Sequence, residues 1–321
     1  MSALATTHRD VWGNHLPAEA VTAEEVLEAA GLNWMATLKP IYTKETVVNE
    51  SFGYASYDKY HEVHDNKAVV RSDTGRHLGV VGNVFRPIDN LELLHFANDL
   101  RDSSGADWYG AGPTRGGKDV WALLKLEPLY IGGDEDEGVD RFLMVKNTHD
   151  GRGSAQVITH KTRIRCTNAL NFTLRNALHR IRVRHTTNWH QRLKEARRAL
   201  EISFSHDDEF EKAANQLINR RFDTTELIRF VHQLIPDPPQ NAQTTDRMLE
   251  NRQNSRLEIV DILRHGPDLQ NIKNTKWGVL NAVAEYSDWH RPVKGNGENR
   301  FLRIVNDTNL KTRAFELLTV A

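Results

Sequence analysis

The spacing of apolar residues changes period near residue 203, and that change limits the folds open to this 321-residue chain. Upstream, Trp34 to Tyr42, Lys67 to Ser72, Leu78 to Val81, Val120 to Leu126, Arg141 to Asn147 and Ala155 to Ile164 read as strands, separated by turn residues such as Asp73-Thr74-Gly75 and the acidic turn Gly132 to Asp140. Downstream the spacing is helical throughout: Phe210 to Asn219, Thr225 to Leu234, Thr245 to Leu263 and Lys276 to Tyr286, with the Pro-rich interval Ile235 to Gln240 breaking the second from the third. Strands without regular strand-helix alternation predict an α+β fold rather than a doubly wound one.

Four helices punctuate the strand-rich part. Thr22 with Glu25 makes a capping box before Val26, Leu27, Ala29 and Ala30, and Gly31 closes that helix. Asn90 to Leu100 is helical, capped by Asp89 or Asn90, and Asn168 to Leu178 and Trp189 to Ile202 carry the same spacing. Leu78 to Val81 forms a hairpin with the strand before Asp73. Tyr54, Tyr57, Tyr60, His61 and His64 fall in a polar loop. The resulting division is an N-terminal arm over 1–21, an α+β core over 22–205 and a helical region over 206–321. The last amphipathic stretch, Phe301 to Val320, packs back or reaches a neighbouring subunit.

Charge is balanced overall, 42 Lys+Arg against 43 Asp+Glu, but not locally. From Arg152 to Arg198 there are twelve basic residues and one acid, Glu195. Such one-sidedness marks a binding face for an anion. Lys161, Arg163 and Arg165 alternate along a strand, so they share one face, and Arg180, Arg182 and Arg184, followed by His185, repeat the alternation about Ile181 and Val183. Two readings compete. One is a solvated face answered by Asp134, Glu135, Asp136, Glu137 and Asp140. The other is a groove tracking a phosphate backbone, with Arg175 beside it, where guanidinium and ammonium groups supply charge-assisted hydrogen bonds. Single-strand binding also needs flat surfaces for bases; Tyr54, Tyr57 and Tyr60 are the candidates from the loop, with Trp108, Tyr109 and Trp189 competing against core roles.

Enzyme readings fare worse. No H-E-x-x-H or C-x-x-C motif is present, so no metal ligands, cofactor or catalytic residues are assigned. His149-Asp150 before Gly151 reads as a turn, and Gly116-Gly117-Lys118 lacks the spacing and the Ser/Thr of a phosphate-binding loop. The lone Cys166 reads as a small core residue and excludes an internal disulfide framework. No apolar run approaches the roughly 18 residues of a membrane helix, and Met1 to Trp12 has no apolar signal region, so the expected location is the cytoplasm.

Several motifs occurring in order carry a family likeness: Leu78-Gly79-Val80-Val81 through Asp89-Asn90, Asn147-Thr148-His149-Asp150-Gly151, Arg163-Ile164-Arg165-Cys166-Thr167-Asn168, Arg184-His185-Thr186, Asn274-Thr275-Lys276-Trp277-Gly278 and Asn281-Ala282-Val283-Ala284-Glu285-Tyr286. From about residue 20 to 290 the chain resembles the phage/plasmid-like family, domain of unknown function 932, found on phages, prophages and plasmids. Ser287-Asp288-Trp289-His290 departs from the acidic-His ending usual after that tyrosine. The family brings no agreed activity. A looser likeness to Rad-type single-strand annealing recombinases implies a curved, mainly antiparallel sheet backed by helices, assembly as a ring, and DNA in a basic groove. Three functions are therefore expected in descending order: a homo-oligomeric phage or plasmid protein that binds and anneals single-stranded DNA in the host cytoplasm, a non-enzymatic binder of a host replication or defence protein, and a metal-dependent nuclease.

Overall fold

The computed structural model describes residues 16, 21–49, 55–133, 137–163, 180–186, 191, 207–239, 244–295, 299–300, 303–304 and 309–320. It is an α+β fold with two antiparallel sheets and a C-terminal region that is mostly helical. The first sheet has order β1-β2-β3, from β1 (Ala36–Asn49), β2 (Ala55–Arg71) and β3 (His77–Gly82). The second has five strands in sequence order: β4 (Asp107–Thr114), β5 (Asp119–Tyr130), β6 (Gly138–Thr148), β7 (Ala155–Arg163) and β8 (Arg180–Val183).

Two capped helices seal one face of the five-stranded sheet. α1 (Ala23–Ala29) carries the expected capping box between Thr22 and Glu25, and Gly31 follows it with φ +64. α2 (Asn90–Ser104) is capped by Asp89, whose partner is Glu92, and ends on the left-handed Gly105. Leu93, Leu94, Ala97 and Leu100 of α2 pack with Val26, Leu32 and Trp34 onto Val120, Ala122, Leu124, Leu143, Val145 and Val157. The alternate residues of the same strands, Trp121, Leu123, Phe142, Met144 and Ile158, form a second buried cluster. Both faces of the central strands are thus buried. Their sequences therefore run apolar at successive positions, as in 120–124, instead of alternating.

β3 lies against the turn that follows β6. A side chain on Gly79 would place its Cβ 2.4 Å from the Asp150 carbonyl oxygen, so only glycine allows the two backbones this approach. Gly151, at φ +77, is held equally close to Val81.

Four helices, α3 (Asp207–Ile218), α4 (Thr224–Leu234), α5 (Asp246–His265) and α6 (Lys276–Glu285), join α7 (Asn309–Val320) in a third core around Trp277, Phe230, Val231, Ile259 and Phe315. Ile131 and Val139 of the sheet region belong to that core as well.

Two expectations change. The segment carrying Tyr57, Tyr60, His61 and His64 is not a loop but β2, paired with β1 from Ala36↔Arg71 to Asn49↔Ala55. Polar residues on both faces of this ribbon erased the apolar alternation by which strands are recognised. β4 also went unread, because Gly110, Gly112 and Pro113 break its pattern. The expected helices at 168–178 and 189–202, together with Arg165, Arg175, Tyr54 and Trp189, lie outside the described residues.

Candidate nucleic-acid interface and the buried polar centre beneath it

The last residues of β6 run into the Asn147-Thr148-His149-Asp150 turn, and all four side chains are buried. Asn147 donates from Nδ2 to the Ile88 carbonyl (3.1 Å), while its Oδ1 accepts from the Thr148 amide (2.9 Å) and faces His185 Nε2 (2.8 Å). Asn90, the first residue of α2, repeats the arrangement: Nδ2 donates to the carbonyls of Leu32 (3.0 Å) and Trp34 (2.9 Å), and Oδ1 faces His149 Nε2 at 3.0 Å. Each amide oxygen is an acceptor, so each histidine is the Nε2–H tautomer with a bare Nδ1. Neither Nδ1 has a hydrogen-bond partner among the described residues.

Burial pushes the His149 pKa down to about 4, helped by repulsion from His185 and Arg71, and burial alone brings His185 to about 4. Both rings are neutral at physiological pH. Phe85 stacks on His185 with centroids 4.7 Å apart, and Trp34 meets His149 edge-on at 5.3 Å. Arg71 in turn sits 4.2 Å over the Trp34 ring.

Next to the histidines is a charged cluster. Arg115 bridges Asp119 (2.5 Å) and Asp150 (3.0 Å), and Asp119 also accepts from Thr148 Oγ1 (2.9 Å) and lies 3.4 Å from Lys146 Nζ. These partners hold the Asp119 carboxyl below its usual range against the opposing effect of burial. Arg115 adopts φ +52, a strained backbone for a residue with a Cβ, which the two ion pairs hold in place. With His149 and His185 buried at 1% and 6% exposure, both imidazoles are closed to a solvent-borne substrate. Their chemistry is to lock the turn, α2 and β3 to the end of the sheet.

Above this centre lies an open cationic rim. Arg182 and Arg184 project to solvent on the far side of β8 from Val183, which is buried in the core. Arg152 is exposed three residues before Ala155, the partner of Val183, and Arg86 is exposed where its amide donates to the His185 carbonyl (3.1 Å). None of these four guanidiniums has a carboxylate partner among the described residues.

The other predicted cations are placed differently. Lys161 is bonded to Asp207 (2.8 Å) and lies 5.0 Å over the Phe210 ring. Arg163 is fully buried: its Nη2 and Nε bind Glu137 (2.6 and 2.9 Å) and its Nη1 donates to the Asp268 carbonyl (2.9 Å). His185 lies in the buried centre rather than on the rim. For Lys161 and Arg163 the cause is the same. The face of β7 carrying Lys161 and Arg163 is covered by the helical region, whose Asp207 joins Glu137 in neutralising them. Of Arg180 the strand position is described and not the side chain.

The tyrosines of the ribbon are exposed, Tyr57 at 57% and Tyr60 at 62%, but they point to opposite faces, because Val47↔Tyr57 and Lys44↔Tyr60 are odd and even positions of one ladder. Sequence reasoning missed the polar centre. Its signal was the clustering of Asn147, His149 and Asp150 with Asn90 and His185, short polar residues embedded in apolar strands. Among the described residues no group of three or more His, Cys, Asp or Glu is arranged to hold a metal ion, and no helix is long and apolar enough to cross a membrane.

Fold and site together define an α+β protein with a polar centre closed beneath a cationic sheet edge. Residues 77–313 match the family model described as Domain of unknown function (DUF932), and the chain belongs to that family. No curated protein matches the chain. No solved structure matches it either.

Proposed function

We propose that this is a phage or plasmid DNA-metabolism protein that binds single-stranded DNA through the rim formed by Arg86, Arg152, Arg182 and Arg184, and that it works as a homo-oligomer. The observation carrying the reading is that, among the described residues, these four exposed arginines lack carboxylate partners while Lys161 and Arg163 have them. Unanswered guanidiniums along one edge repel one another, and a phosphate backbone relieves that repulsion.

Self-association is supported by the β1–β2 ribbon. β3 pairs with Asn66 to Val70, so among the described residues Ala55 to Asp65 of β2 have β1 alone as a neighbour. Tyr42, Val48, Tyr57 and Tyr60 are all more than half exposed there. A two-stranded ribbon in water is at best marginally stable, and its open edges invite another strand. Its charges nearly balance, Lys39, Lys44, Lys59, Lys67 and Arg71 against Glu45, Asp58, Glu62 and Asp65, which favours a second copy of the chain over a polyanion at this surface.

Fluorescence anisotropy of a labelled single-stranded oligonucleotide tests the first part. Binding should fall steeply with salt, and Arg182→Glu or Arg184→Glu should weaken it strongly. Absence of any anisotropy change at low salt would refute DNA binding. Native mass spectrometry tests the second part: the intact chain should exceed monomer mass, and a chain with residues 41–63 replaced by a short turn should be monomeric.

A further inference from the structure

A cavity of about 390 Å³ opens between α4, α5 and α7. Its floor is apolar: Leu234, Ile235 and Pro236 from the end of α4, and Leu310 from the first turn of α7. Its walls are cationic, with Arg252 from α5, Arg291 after the turn Tyr286–His290, and Arg313 from α7. No carboxylate lines it among the described residues. The hydroxyls at its edge are already used, since Tyr286 donates to Ser255 Oγ (2.7 Å) and Ser255 donates to the Asn251 carbonyl (2.9 Å). Arg313 gives one donor to the Gln233 carbonyl (2.8 Å) and keeps the rest of its guanidinium. Among the described residues Arg252 has no carboxylate partner.

We propose that this cavity binds a phosphomonoester of mononucleotide size. The Arg252 and Arg313 guanidiniums face one small space and repel each other, and a dianionic phosphate is the ligand whose planar pairs of oxygens match guanidinium donors. The first turn of α7, a helix of 12 residues, lines the same cavity, where the positive end of the helix dipole favours an anion. Leu234, Ile235, Pro236 and Leu310 give the organic part of the ligand an apolar surface. The volume falls within the range of small-molecule sites, roughly 300–1,000 Å³. The cavity belongs to the helical region and not to the sheet edge, so this inference does not depend on DNA binding at the rim. A free nucleotide and the 5′-phosphorylated end of a strand present the same chemistry.

Isothermal titration calorimetry of the full chain with AMP, inorganic phosphate and adenosine tests it. AMP should bind with a Kd below about 1 mM, phosphate should bind more weakly, and adenosine should give no measurable heat. Arg252→Ala and Arg313→Ala should each weaken AMP roughly ten-fold or more, with unchanged melting by circular dichroism, while Arg182→Glu on the rim leaves AMP binding intact. A 5′-phosphorylated oligonucleotide binding more tightly than its 5′-hydroxyl twin, by a margin lost in Arg252→Ala, assigns the site to strand ends; equal binding of the two with AMP still bound assigns it to free nucleotides. The proposal is overturned if AMP and phosphate give no heat at millimolar concentration, or if AMP binding survives both pocket substitutions.

Discussion

His149 and Asn90, 59 positions apart in sequence, meet through a single hydrogen bond of 3.0 Å that joins the end of β6 to the first residue of α2. Asn90 extends the link to the Leu32 and Trp34 carbonyls, so one side chain ties three segments together at 1% exposure. Replacing Asn90 with Leu keeps the volume but strands two carbonyls and an imidazole N–H in the interior. We expect a loss of about 2–4 kcal/mol, read from the urea midpoint at constant m-value. A change under about 0.5 kcal/mol would show that the link is not structural.

The buried histidines make stability depend on pH. Their folded pKa values, about 4 for both His149 and His185, lie below the ordinary 6.5, so the unfolded chain binds protons first as pH falls. Their contribution is fully present above pH 6.5 and is lost progressively as pH falls towards 4, at up to about 3 kcal/mol per ring. His160, driven well below its usual range by burial, acts in the same direction. Denaturation at pH 7, 6 and 5 isolates this range from most carboxylate titration. A flat stability across it contradicts the neutral-imidazole assignment.

Arg163 and Glu137 form an ion pair that is 0% and 2% exposed at its side chains. Removing one partner leaves an isolated charge, so Arg163→Met and Glu137→Leu should each cost about 3–5 kcal/mol. The double substitution should recover part of that, with the Asp268 carbonyl and the Trp277 indole N–H still lacking their partners. Additive losses in the double-mutant cycle would mean that the two charges are not coupled.

On the ribbon, Tyr57→Ala and Tyr60→Ala remove side chains more than half exposed. Monomer stability should change by less than about 0.5 kcal/mol, whereas the proposed self-association, measured by analytical ultracentrifugation, should weaken. Loss of monomer stability instead would place these rings in the chain's own core.

Gly79→Ala tests the contact between the two sheets. Its new Cβ meets Asp150 backbone, which cannot rotate away, so β3 must separate from the turn and expose the polar centre. The expected readout is faster hydrogen exchange at the amides of His149 and Val81, together with a lower melting temperature. Unchanged exchange would mean that the approach can relax without separating the sheets.

Local sequence determined those elements whose signals are local. The capping box of Thr22 and a cap at Asp89 or Asn90 marked the starts of α1 and α2, apolar runs marked β5 to β7, and helical spacing marked α3 to α6, because caps and periodicity depend on residues within one or two turns. The ribbon escaped this logic, since a strand exposed on both faces carries no apolar alternation. The cationic stripe shows where tertiary structure took over. Alternation correctly put Lys161 and Arg163 on one face of a strand, but whether that face meets solvent depends on where the distant Asp207 and Asp268 pack. A charge pattern records only which residues are charged. Their partners, and so their availability to a ligand, are set by distant contacts, such as the one across 105 positions between Arg163 and Asp268. The same holds for His149: a turn by its neighbours in sequence, it became the centre of a buried network only when α2 delivered Asn90 to it.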